Sequence, residues 1–180
     1  RRQHVWISKS DKLIEDAQRD WSALGQEKLL ITPLSRFRQG KPIKLKEGIL
    51  FTTFATLRTD EREGKPSRVQ QIVDWLTGAD EPDLYPTDEP HIFDGVIVFD
   101  EGHALANAVG GKSDHGAKAP SQQGRAGLRL QRALPDARIV YDSATGAADV
   151  ESLGYAERLG LWGSTDLPFV TRSEFISAVE

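Results

Sequence analysis

At 180 residues, with 38% hydrophobic and 28% charged side chains, the sequence has the make-up of one ordinary globular domain. A net charge of -4 excludes a protein that coats nucleic acid by bulk charge, though a local basic strip remains open to it. With no cysteine there are no disulfides or thiolate metal sites, and no apolar run approaches the roughly 18 to 20 residues of a membrane span.

In chain order, His4-Val5-Trp6-Ile7-Ser8 reads as a buried strand. A helix capped at Ser10 or Asp11 follows, with Leu13, Ala17, Trp21 and Leu24 at helical spacing and Gly25 as its stop. Leu29-Leu30-Ile31 predicts a second strand, and the stretch holding Pro33, Gly40 and Pro42 predicts loop. Gly48 to Thr53 is a third apolar, β-prone run. Val69, Ile72, Val73 and Leu76 then mark one face of a helix, and the acidic, proline-bearing segment from Gly78 to Pro90 predicts a surface connection.

Gly95-Val96-Ile97-Val98-Phe99 is an unbroken apolar run of the kind covered on both faces, and it ends abruptly in Asp100-Glu101. Residues 109 to 124 lack periodicity and read as a mobile loop. A helix follows with Ala126, Leu130, Ala133 and Leu134 on its buried face and Arg125, Arg129 and Arg132 stacked beside it. Arg138-Ile139-Val140-Tyr141 predicts another strand, ending at Ser143-Ala144-Thr145. Helices over about 149 to 159 and after Thr171, where Thr171 and Glu174 form a capping box, complete the pattern. Alternating strands and helices predict an α/β domain with a mostly parallel sheet, whose ligands sit beyond the carboxyl ends of the strands. Ser8, Thr52, Asp100, Glu101, Ser143 and Thr145 all fall at such ends.

The chemistry concentrates in Asp100-Glu101-Gly102-His103. A nucleoside-triphosphate hydrolase needs one carboxylate to hold Mg2+ through its water shell and another to orient and deprotonate the attacking water. Asp100 suits the metal and Glu101 the water, while the hydroxyls of Ser143 and Thr145 are expected within reach of His103. The plainer reading makes Asp100-Glu101 a cap on the next helix. A third has Asp100, Glu101 and His103 ligating a catalytic metal directly, but neighbours on an extended chain point to opposite faces.

Asp100-Glu101-Gly102-His103 followed by Ser143-Ala144-Thr145 resembles motifs II and III of superfamily 2 helicases. Within them, Arg138 to Ala147 and Arg158-Leu159-Gly160-Leu161-Trp162-Gly163 resemble the strawberry notch family. Val5 to Ser8 with Asp16-Ala17-Gln18-Arg19-Asp20 is similar to that family's motif Ia region, and Gly48 to Phe54 to its motif Ib region. At Gly102 the family pattern has a larger residue, often Cys.

The resemblance implies a RecA-like three-layer domain that uses ATP and Mg2+, with residues 1-180 as part of the first motor domain of a DEAD/DEAH-like helicase or translocase. It implies that His103 links the γ-phosphate site to Ser143 and Thr145, and that Ser8, Thr52 and Thr53 lie near the backbone of a DNA or RNA partner. Such motors carry a glycine-rich phosphate loop upstream of motif Ia and a second RecA-like domain supplying an arginine. Both are expected elsewhere in a longer polypeptide, since residue 1 is Arg and the sequence holds no Met.

Ala106 to Ser113 satisfies a relaxed phosphate-loop pattern but follows no strand and precedes no good helix, so it reads as a decoy. Between residues 109 and 132, Lys112, Lys118, Arg125, Arg129 and Arg132 face one acid, Asp114, and form a candidate phosphate-tracking strip. Arg125 and Arg129 are its candidate nucleic-acid contacts. The alternative function is a regulatory scaffold that keeps the fold to bind protein partners. No signal-peptide pattern is present, and a cytoplasmic protein, bacterial or mobile-element in origin, is expected, or a nuclear one if eukaryotic.

Overall fold

A computed structural model describes residues 2–79, 92–113, 116–144 and 150–179. Thr145 and most of the connection expected over 78 to 90 lie outside the described residues.

Five strands form one parallel sheet. They are β1 (Gln3–Ser8), β2 (Ile31–Pro33), β3 (Gly48–Thr53), β4 (Val96–Asp100) and, at the far border, a strand over Arg138–Asp142, in the order β2-β3-β1-β4-Arg138–Asp142. Register aligns Ser8 with Thr53, Ile7 with Phe99, and Asp100 with Asp142, so the polar residues at the strand ends gather on one edge. This is the α/β, RecA-like architecture expected, built because β-branched and aromatic runs in β1, β3 and β4 alternate with amphipathic helices.

The helices are α1 (Leu13–Ala23), α2 (Phe54–Leu57), α3 (Arg68–Thr77), α4 (Gln122–Ala133) and α5 (Arg172–Val179). Ser67 and Ser121 cap α3 and α4 through their hydroxyls, accepting from Gln70 N and Gly124 N. The capping box of α5 forms as expected: Glu174 N donates to Thr171 Oγ1, and Thr171 N to Glu174 Oε2, each at 3.2 Å. In α1 the expected cap is displaced. Lys12 holds the cap position without a side-chain bond, while Ser10 Oγ accepts from Lys12 N.

Inward-facing Val5, Ile7, Leu50, Ile97 and Phe99 pack with Ile72 and Leu76 of α3 and with Leu128 and Leu130 of α4 in one core. An aromatic row crosses it, Phe54 to Phe99 to Tyr141 to Tyr155, with ring centroids 6.4, 5.8 and 5.8 Å apart. Each such pair contributes roughly 0.5–1.5 kcal/mol beyond its buried area.

The opposite face corrects the reading of β4 as covered on both sides. Ile97 and Phe99 are fully buried, whereas Val96 and Val98 are only half-buried. They line an apolar groove of about 360 Å3 with His4, Trp6, Ile49 and, from α1, Trp21. The border strand, here β7, alternates in the same way, and its Val140 is 45% exposed. An apolar run reports burial only if something covers each face, and among the described residues the helices pack chiefly on one.

Other differences are local. The second strand starts at Ile31, two residues late; Leu30 is exposed, though its carbonyl already accepts from Ile49 N. Pro33 ends that strand and Leu34–Arg36 form a 3-10 turn where loop was expected. Leu24 is exposed, past the end of α1, and Ala133 is exposed at the end of α4. The stretch read as a mobile loop contains an antiparallel hairpin, β5 (Gly111–Ser113) with β6 (Gly116–Lys118). The helix expected over 149 to 159 is instead two 3-10 turns, Glu151–Tyr155 and Glu157–Leu159. Gly154 sits so close to Val109 that a Cβ there would meet Val109 Cγ2 at 2.6 Å. Among the described residues no helix is long and apolar enough to cross a membrane.

Candidate active site

At the C-terminal end of β4 the chain turns sharply. Glu101 adopts the left-handed conformation, φ 56° and ψ 45°, which costs a residue with a Cβ roughly 1–2 kcal/mol. A 3-10 turn, Gly102–Leu105, follows, and Glu101 makes no side-chain capping bond to it. The plain capping interpretation of the acid pair therefore has no capping hydrogen bond from Glu101 behind it. The turn swings the Glu101 carboxylate out of the strand line toward His103.

His103 Nδ1 lies 3.2 Å from Glu101 Oε2 and 3.1 Å from Ser143 Oγ. The imidazole thus spans the ends of two neighbouring strands, as the Ser143 part of the expectation required. Nδ1 therefore sits within reach of both oxygens, and the tautomer sets which group donates. Glu101 and His103 are each about one-third exposed, 36% and 35% at their side chains, open enough to meet a ligand.

Asp100 is held differently. Its Oδ2 accepts from Ser8 Oγ at 2.7 Å and from Trp6 Nε1 at 3.3 Å. Among the described residues it makes no ion pair, and no three His, Asp or Glu side chains come together as a metal cage. The directly liganded hydrolase reading loses its geometric basis there. A single carboxylate does fit Mg2+, which keeps most of its waters and takes its other ligands from phosphates.

Several residues expected near nucleic acid also hold internal positions. Ser8 is completely buried and donates to Asp100. Thr53 Oγ1 caps α2, accepting from Thr56 N at 3.2 Å, and Thr52 is buried with no partner for its hydroxyl among the described residues. Arg129 points to Asp60 and Ser67, 3.3 and 3.4 Å away, and Arg132 grips Glu157 through two nitrogens. Of the stacked arginines only Arg125 is exposed without an ion pair among the described residues. The decoy phosphate loop runs from the end of a 3-10 turn through strand β5, and among the described residues no helix N-terminus follows it to receive an anion.

Sequence reasoning missed the buttress behind the site. Tyr141 OH donates to Gln131 Oε1, and Gln131 Nε2 donates to Tyr155 O at 3.0 Å. Burial pushes the Tyr141 phenol up to about 12, partly offset by Arg158, whose backbone N–H donates to that oxygen. Arg158 also donates to Ala137 O at 2.9 Å, tying the second 3-10 turn to the start of β7. The glycines of α4 were the available signal. A Cβ at Gly124 would lie 2.5 Å from Ala108 Cα, and one at Gly127 2.7 Å from Leu105 Cδ2, so α4 rests directly on the turn that carries His103. At Gly102, by contrast, a Cβ would meet nothing closer than Asp142 O at 3.5 Å, and a larger residue is accommodated.

A parallel sheet here brings an acid pair and a hydroxyl to one edge through neighbouring strands, the layout a nucleotide-hydrolase domain requires. The family model described as P-loop containing NTP hydrolase pore-1 matches residues 1–180. Over 187 residues the chain is 37% identical to Protein strawberry notch homolog 1 of Gallus gallus, covering 100% of the chain and 14% of that protein. It is 35% identical over 188 residues to Protein strawberry notch of Drosophila melanogaster, covering 100% and 10%. With Protein FORGETTER 1 of Arabidopsis thaliana the identity is 33% over 184 residues, covering 100% and 13%. The chain belongs to the strawberry notch family of P-loop NTP hydrolases, and it spans no more than 14% of the length of these relatives.

Proposed function

We propose that residues 1-180 are part of the first RecA-like domain of an ATP-dependent translocase or helicase acting on DNA or RNA. The observation that carries this is His103 Nδ1 held between Glu101 Oε2 and Ser143 Oγ, which joins the hydrolytic carboxylate to a neighbouring strand end. A motor needs such a joint, because hydrolysis must be felt by elements that grip the nucleic acid. A scaffold has no use for it.

In this reading Asp100 holds Mg2+ through water and Glu101 activates the attacking water. With Oε2 engaged by His103, Glu101 Oε1 is the atom left to take the proton. Bound Mg2+ supplies charge neutralisation at the ATP phosphates. The phosphate loop and the arginine-bearing second domain come from the rest of the polypeptide, and Arg125 is the side chain best placed to meet a nucleic-acid backbone.

Glu101→Gln in the full-length protein is expected to lower ATP turnover at least about a hundredfold while leaving nucleic-acid affinity unchanged. Steady-state ATPase rates and a filter-binding titration measure the two. Single-stranded DNA or RNA is expected to stimulate the parent enzyme. Equal turnover in mutant and parent removes Glu101 from the mechanism, and absence of stimulation by either nucleic acid favours a scaffold.

A further inference from the structure

Asp100 owes its orientation to β1. Ser8 and Trp6 stand two residues apart on that strand and therefore on one face, and the register that sets Trp6 beside Val98 and Ile7 beside Phe99 brings both donors to the carboxylate. Ser8 Oγ and Trp6 Nε1 converge on the same oxygen, Oδ2, at 2.7 and 3.3 Å. The shorter bond has the length of a charge-assisted O–H···O− contact.

Three features separate this arrangement from ordinary packing. Ser8 is 0% exposed, so its hydroxyl has no water to turn to and its direction is fixed. Trp6 is half-buried and lines the apolar groove with Val98 and Trp21, so its indole N–H reaches Asp100 from the groove side. Asp142 is the lateral register partner of Asp100, so a second acid stands at the end of the neighbouring strand on one side and two neutral donors come from β1 on the other, with no cation paired to Asp100 among the described residues. A carboxylate in that state has one oxygen occupied and a charge still to be met.

We infer that Ser8 and Trp6 are positioning residues for Asp100, clamping Oδ2 so that Oδ1 is presented to the water shell of a divalent cation. This rests on the reading of Asp100 as the Mg2+ carboxylate. It replaces a contact to nucleic acid as the role of Ser8. It also makes the end of β1 part of the metal site, since displacing Ser8 rotates the carboxylate.

The test is Mn2+ affinity of the full-length protein with saturating ADP, followed by electron paramagnetic resonance, which reads the site without turnover. Trp6→Phe removes one N–H and keeps an aromatic ring in the groove; Ser8→Ala removes the hydroxyl, and Ser8→Thr restores one. Both donor deletions are expected to weaken Mn2+ roughly tenfold, the usual effect of losing an outer-shell partner, with Ser8→Thr closer to the parent. Should Ser8→Ala fail to fold, Trp6→Phe carries the test alone. Asp100→Asn serves as the reference. Loss of Mn2+ binding in Asp100→Asn with parent affinity in the donor deletions overturns the clamp. Parent affinity in Asp100→Asn overturns the metal role of Asp100 itself.

Discussion

Tyr141 shows how one side chain ties the site to its support. Its hydroxyl is shared by Gln131 of α4 and the backbone of Arg158, and burial holds its proton to about 12 rather than the ordinary 10. A phenol whose folded pKa is raised contributes stability that is fully present below pH 10 and is lost as pH climbs toward 12. With its partial exposure discounted, the contribution is roughly 1 kcal/mol. Chemical denaturation of parent and Tyr141→Phe from pH 8 to 12 should show their difference shrinking across the top two units, and a constant difference would refute it. The residues of the site divide sharply in how legible they are. Asp100, Glu101, His103 and Ser143 belong to two short motifs, and each motif's neighbours in sequence are its neighbours in space. The hydrogen bonds of Ser8 and Arg129 are not legible in the sequence because their partners, Asp100 and Asp60, are 92 and 69 residues away. No local pattern encodes a distant strand neighbour.

At the level of elements, α4 matters most. Gly124 and Gly127 let it settle against Ala108 and Leu105, and Ser121 fastens its start by accepting from Gly124 N and donating to Ala106 O at 3.1 Å. Gly124→Ala forces a Cβ to within 2.5 Å of the Ala108 backbone, which cannot yield as a side-chain tip does. Overpacking of this kind costs about 1–3 kcal/mol, more than the helix gains from replacing a glycine. Thermal unfolding should therefore give a lower Tm for Gly124→Ala, whereas a higher Tm would show that the turn can move. The main strands and α3 were readable because their apolar runs and spacings are long enough to fix type and extent. The β5–β6 hairpin was not, since it is two three-residue strands in a Gly- and Lys-rich stretch with no hydrophobic alternation. The pair of 3-10 turns near Tyr155 eluded the reading for a related reason: the contact of Gly154 with Val109 is tertiary, and helical spacing alone carries no trace of it.

Taken as a whole the molecule is lopsided. Among the described residues one side of the sheet is sealed by α2, α3 and α4, and the other leaves Val98 and Trp6 half-buried in a groove and Val140 exposed. The same sheet stops at β7, which among the described residues has β4 on one flank and no strand on the other. A border strand with a half-open valine is adhesive, because its unused amides and carbonyls form a template for another copy. Produced by itself, the 180-residue piece should gain mass with concentration, seen by light scattering, and Val140→Lys should suppress that growth. If the lysine variant scatters as strongly as the parent, the stickiness has another source. Anything that covers this border in the cell would also keep the chain dissolved.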